Sequence, residues 1–165
     1  MRRFSTLFRQ HLDSFARVWV DEIYADRRTD LATILSAREL VENLPEIFDQ
    51  LGYVLDERAS AAEIAVAAPR LRGFAHARFQ QGVLIDEVAR ELMLFRQVIT
   101  DFLWREGLSV RQGSFFELRD ALWRANRFVD EMIEQVIIVY AASLRPPFET
   151  RVSVWPPPRR RRTDF

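Results

Sequence analysis

The side chains able to do chemistry in this sequence form a short list. His11 and His76 are its two histidines, and it contains neither cysteine nor lysine. Without cysteine, disulfide staples, thiolate zinc sites and a cysteine nucleophile are excluded together. Metal or haem chemistry would have to use an imidazole. His11 stands at helical-neighbour spacing from Phe8 and Phe15, on the edge of an apolar stripe. An axial ligand or a pH-sensitive group could stand there, but a histidine packed at the core edge is the better reading. His76 shares a helical face with Arg72 and Gln80, which is too polar a setting for a haem pocket. A haem- or tetrapyrrole-binding protein is therefore the alternative, and no cofactor is expected.

Carboxylates are more plentiful, with Glu87, Glu91, Asp101, Asp120, Asp130, Glu131 and Glu134 on strongly helical segments. Di-iron bundles take their ligands from Glu-x-x-His motifs, and no such motif occurs. Glu131 and Glu134 flank an apolar seam, so a solvated face is expected for both. Five scattered glycines form no phosphate-binding loop. Neither a G-x-S-x-G elbow nor an H-E-x-x-H helix is present. The expectation is a protein that binds and relays rather than catalyses.

The remaining concentration of charge lies in Pro156-Pro157-Pro158-Arg159-Arg160-Arg161-Arg162, where extended polyproline character leads into four arginines. Residues 146–165 hold five arginines against Glu149 and Asp164, a charge of +3 that the rest of the chain balances with −3. This tail is expected to be disordered, separate from a helical domain over 1–145, with Trp155 as a candidate anchor. Binding of nucleic acid through the tail is a second alternative, and nucleic acid is not the expected partner. The N-terminus lacks the apolar core of a secretory signal. The apolar stretch 129–144 is interrupted by Asp130, Glu131, Glu134 and Gln135, so no membrane span is expected. Cytoplasmic residence follows.

What must position these groups is a set of helices. Phe8, Leu12, Phe15, Trp19 and Ile23 recur at intervals of four and three, predicting a helix over 3–25. Ser36 before Glu39, and Asn43 before Glu46, have capping-box spacing. They predict a short helix over 37–42 and a longer one over 44–57, with Pro45 in its first turn. The Ala-rich 58–69 reads as a loosely packed connector. A helix over 70–81 carries Leu71, Phe74, Ala75, Arg78 and Phe79 on one side and stops at Gly82. Ile85, Val88, Leu92, Phe95, Ile99 and Phe102 then mark a long helix closed by Gly107. After Gly113-Ser114, Phe115, Leu118, Leu122, Ala125, Val129, Met132, Val136 and Val139 repeat as a and d positions over four heptads. These two long C-terminal helices should pack antiparallel across the 107–113 loop. Phe116, Trp123, Ile133, Ile137 and Tyr140 add a second apolar line to the last helix, wider than one chain's core needs, and point to a homodimer. No strand pattern is evident, and the fold class is all-α.

Within this frame, Ala75 to Arg96 goes beyond generic helix. It resembles the N-terminal domain of the RsbT co-antagonist (RsbR and RsbRD) family, in which one helix ends in R-x-x-x-G and the next carries E-x-x-x-x-R. Arg78 and Gly82 match the first element, Glu91 and Arg96 the second, and His76 lies in the same segment. Trp19 and the helix opened by Leu44-Pro45 fit the same order. The resemblance implies a haem-free, globin-like or bundled sensor domain, usually dimeric, acting in bacterial stress or two-component signalling. Its partners would be a STAS-domain protein, a histidine kinase or an anti-sigma component in trans. From the residues themselves, Arg78 and Glu91 could pair across adjacent helices and hold the 82–84 turn, or contact a ligand.

Overall fold

The computed structural model describes residues 4–109 and 115–143, and these residues form helices without a strand. The first, α1 (Phe4–Ala25), buries Leu7, Phe8, Phe15, Trp19 and Ile23, the stripe read from the sequence. Its N-terminus is capped from a distance. Asp56 accepts hydrogen bonds from the Phe4 N–H (2.5 Å), the Ser5 N–H (3.2 Å) and the Ser5 hydroxyl (2.5 Å). A carboxylate at a helix start satisfies orphan donors and complements the helix dipole.

The polar run at 26–30 ends α1 as expected. A single turn not foreseen from the sequence, α2 (Leu31–Ile34), follows and seats Leu31 fully in the core. In α3 (Ala37–Val41) the capping box forms: the Ser36 hydroxyl accepts from the Glu39 N–H and the Glu39 carboxylate accepts from the Ser36 N–H. The second box does not. Asn43 makes no side-chain cap to α4 (Leu44–Asp56). Its backbone, at φ −91° and ψ −4°, stays near helical values after α3, whereas a capping side chain works from an extended residue. Pro45 occupies the first turn of α4, as expected.

The connector expectation for 58–69 is corrected. Ser60 and Glu63 form a capping box that opens α5 (Ala61–Ala67), and a 3₁₀ turn (Ala68–Leu71) leads into α6 (Arg72–Gln80). Ile64, Ala67, Ala68 and Leu71 are buried, with α5 and the turn against the last helix. Alanines look weakly apolar in sequence, yet their small size lets the backbone approach a neighbour closely.

At the end of α6, Gly82 adopts φ +75°, a left-handed conformation that glycine reaches without a Cβ penalty. The Gly82 N–H donates to the Phe79 carbonyl and the Val83 N–H to that of Arg78, the paired bonds of a Schellman stop. The chain then enters α7 (Ile85–Ser109), which runs past Gly107 rather than closing there. One glycine costs a helix only about 1 kcal/mol, so it does not stop a helix whose other residues are packed. The last helix, α8 (Phe115–Ser143), packs antiparallel on α7: Tyr140 meets Val83 at one end of the pair and Asp130 meets Arg96 nearer the middle. The a and d positions from Leu118 to Val139 are buried apart from half-buried Leu122, while Phe115 is exposed. The start of the last helix at Gly113-Ser114 and the tail from 146 onward, both read from the sequence, lie outside the described residues.

An aromatic run holds α1, α4 and α7 together. Phe48 lies 5.1 Å from Phe8 and 4.6 Å from Phe15, while Phe95 meets Phe15 and Trp19, each at 5.6 Å. Offset and edge-on rings at such distances contribute beyond the area they bury. The α1 and α4 backbones approach closely at Gly52, where a Cβ would meet Ser5 Cα at 2.8 Å. Gly52→Ala is therefore expected to destabilise the fold by about 1–3 kcal/mol through overpacking against backbone. Gly73→Ala in α6, where a Cβ meets open space, should stabilise by about 0.5 kcal/mol. Urea midpoints of the two variants check the contrast.

Candidate functional site: a buried ion pair and an exposed apolar line

Arg78 projects from α6 and Glu91 from α7, and both side chains are fully buried. The Arg78 Nε–H donates to Glu91 Oε2 at 2.9 Å, and one Nη2–H to Oε1 at 2.7 Å. The other Nη2–H reaches the Leu40 carbonyl at 3.2 Å. Nη1 donates to the Glu39 carbonyl at 3.2 Å and to Gln81 Oε1 at 2.9 Å. A guanidinium has five N–H donors, and here all five are engaged. Its flat face covers the Phe74 ring at 4.9 Å from the centroid. The carbonyls of Glu39 and Leu40 belong to the last turn of α3, where helix geometry leaves them without partners and favours a cation. One side chain thus ties α3, α6 and α7 together.

Electrostatics in this junction are tightly balanced. Burial pushes the Glu91 carboxyl above the ordinary glutamate range, and the Arg78 hydrogen bonds and charge pull against it. The Tyr140 hydroxyl donates to the Val83 carbonyl at 2.6 Å, and Phe79 meets the Tyr140 ring edge-on at 5.3 Å. Burial, with the nearby Glu91 charge, pushes the Tyr140 hydroxyl up to about 12. Through Tyr140, α8 is fastened to the Gly82–Leu84 turn that Arg78 and Glu91 flank.

The other residues singled out from the sequence are spread more widely. Arg96 leaves this junction and forms an ion pair with Asp130 of α8, while its Nε is buried without a partner. His76 is exposed on α6. His11 is half-buried at the edge of the aromatic run, 5.6 Å from Phe102. Among the described residues, no group of three or more histidines and carboxylates could hold a metal. The expected solvated face for Glu131 is corrected: it is only 5% exposed, because Arg127, one turn earlier, neutralises it at 2.7 Å. Glu134 is exposed.

On α8, Phe116, Trp123 and Ile137 lie in the open at multiples of seven residues, between 51% and 64% exposed. Asp130, paired with Arg96, completes that line. Ile133 is half-buried against the core, and Tyr140 departs from the face altogether, being buried at the turn. Phe74 stands on the same side of its helix as Arg78, as read from the sequence, whereas Gln81 and the α3 carbonyls were not singled out. Gln81 is three residues after Arg78, a helical-neighbour spacing that could have flagged it. The meeting of α3 with α6 is long-range and leaves no local pattern.

The family model described as RsbT co-antagonist protein rsbRD N-terminal domain matches residues 13–151. The chain belongs to this family. Among curated proteins and among solved structures there is no significant match. In this RsbRD N-terminal domain, the Arg78/Gly82 and Glu91/Arg96 elements therefore flank one turn, with Arg78 and Glu91 in direct contact across it.

The raised Tyr140 value has a consequence with a definite sign. An unfolded tyrosine ionises near pH 10, and Tyr140 in the folded domain does so at about 12. Its contribution to stability is complete below the unfolded value and is lost as pH rises from about 10 through about 12. Thermal unfolding followed across this range should show an alkaline fall in Tm. Tyr140→Phe is expected to lower stability at neutral pH by about 1 kcal/mol and to flatten that alkaline fall.

Proposed function

We propose that this RsbRD N-terminal domain is a non-catalytic regulatory module. It relays a signal in bacterial stress or two-component signalling by shifting helix packing, and hands that shift to a second copy of itself and to an output protein. Family membership carries the reading. The exposed Phe116, Trp123 and Ile137 line supplies a surface for it, since a heptad-spaced apolar stripe on a long helix is suited to coiled-coil-like pairing. A STAS-domain protein, a histidine kinase or an anti-sigma component fits the role of output partner in trans. No described helix is long and apolar enough to cross a membrane, which accords with action in the cytoplasm.

A relay needs an element with two arrangements and a ligand or partner that favours one of them. The α7/α8 pair is suited to that role. Its outer face is apolar and open, while its inner end is tied through Tyr140 to the Arg78–Glu91 junction. A change at α6 would thus reach the C-terminal end of α8 through Tyr140.

Light scattering across a concentration series tests the pairing step. The intact chain is expected to show a dimer mass at micromolar concentration, and Trp123→Glu combined with Ile137→Glu to show a monomer with unchanged helical circular dichroism. A monomer for the intact chain at every concentration would overturn the dimer reading.

A further inference from the structure

A second surface feature lies away from the α8 face, where α1 and α7 leave a half-open groove of ≈ 290 Å³ between them. Val98 forms its buried floor, and Val18 and Trp104 present exposed apolar surface. Glu22 and Asp101 bring carboxylates to it, and Arg105 brings one opposing charge. Neither Glu22 nor Asp101 takes part in an ion pair among the described residues. An open indole beside apolar side chains is the surface on which proline-rich segments dock, and the two carboxylates favour a cationic one. The chain carries a segment of that chemistry in Trp155-Pro156-Pro157-Pro158-Arg159-Arg160-Arg161-Arg162. It follows the 13–151 family domain in sequence.

We propose that the segment 155–162 docks in the α1/α7 groove of its own chain, with the prolines against Trp104 and Val18 and the arginines toward Glu22 and Asp101. Charge favours this over a neutral peptide, because residues 146–165 carry +3 and the rest of the chain −3. Reach permits it. Helix α8 ends at Ser143, beside the start of α7, where Tyr140 bonds Val83. Asp101 lies sixteen residues along α7 from Ile85, about 24 Å at 1.5 Å per helical residue. The twelve residues from Ser143 to Trp155 span up to about 40 Å when extended. The segment would cover a face of α1 and α7 distinct from the α8 line, so this inference stands independently of the dimer reading.

The absence of cysteine permits a direct test on the 165-residue chain. Spin labels at Ser14→Cys, exposed one turn before Val18, and at Ser153→Cys are compared by double electron–electron resonance. Docking predicts a narrow, short distance distribution that becomes broad and longer when Glu22→Arg and Asp101→Arg are added, and that also broadens at high salt. The narrow peak should survive dilution with excess unlabelled protein. A broad distribution in the parent, or one unmoved by the charge reversals, overturns the proposal. Loss of the peak on dilution overturns it as well, since the groove would then hold the segment of a neighbouring copy.

Discussion

A charge taken fully out of water must be neutralised and hydrogen-bonded, and the Arg78–Glu91 pair answers that constraint. Neither charge could occupy its place alone: Arg78 supplies the hydrogen bonds to both Glu91 oxygens, and the carboxylate leaves part of the guanidinium still to be satisfied. The guanidinium also takes two α3 carbonyls and the Gln81 amide oxygen. This is why α3, only five residues long, has a fixed place: a helix of that length has little stability of its own. Its N-terminus is closed by the Ser36 and Glu39 box and its C-terminus by Arg78. The Gly82 stop then sets the direction in which α7 departs, and so the distance across which Glu91 reaches back.

The other half of the bundle rests on apolar packing. Phe8, Phe15 and Trp19 of α1 interleave with Phe48 of α4 and Phe95 of α7, while Asp56 fixes the register of α1 on α4 by holding its first N–H groups. Polar contacts lock the remaining loop: Glu87 accepts from Thr29, and Asp26 pairs with Arg90 at 2.5 Å. The Arg90 hydrogen bond holds the Asp26 carboxyl below its ordinary value. The bundle thus combines a deep aromatic core with a buried ionic junction, and α7 supplies a residue to each, Phe95 to the first and Glu91 to the second.

Much of this was legible in sequence because it is local. Heptad and 3.6-residue spacing located α1, α7 and α8, and the Ser36 and Glu39 pair placed α3. The possible contact between Arg78 and Glu91 could be read because thirteen residues and one glycine turn separate them. Other features were hidden for physical reasons. Small buried alanines in α5 carry little hydrophobic signal, and the Ser60 to Glu63 spacing was the available clue to that helix. Gly107 looks like a stop but is carried through by its neighbours. Glu131 is polar in sequence and buried in the fold because Arg127 lies one turn away. Tyr140 sits in an apolar line yet turns inward, because a carbonyl of the Gly82–Leu84 turn needs a donor. The Asp56 cap on α1 joins residues more than fifty positions apart, a pairing no short-range pattern can announce.

For an RsbRD N-terminal domain that relays a packing change, the junction around Arg78 is the point where a local disturbance spreads to several helices at once. The most direct measurement of that role is a double-mutant cycle in urea unfolding with Arg78→Met, Glu91→Leu and the combined variant. Each single substitution strands one charge or its partners in the core and is expected to cost about 3–5 kcal/mol. The combined variant, with no stranded charge, is expected to cost far less than the sum of the two. Additive losses, or single losses below about 1 kcal/mol, would contradict the account by showing that the two side chains are not energetically coupled.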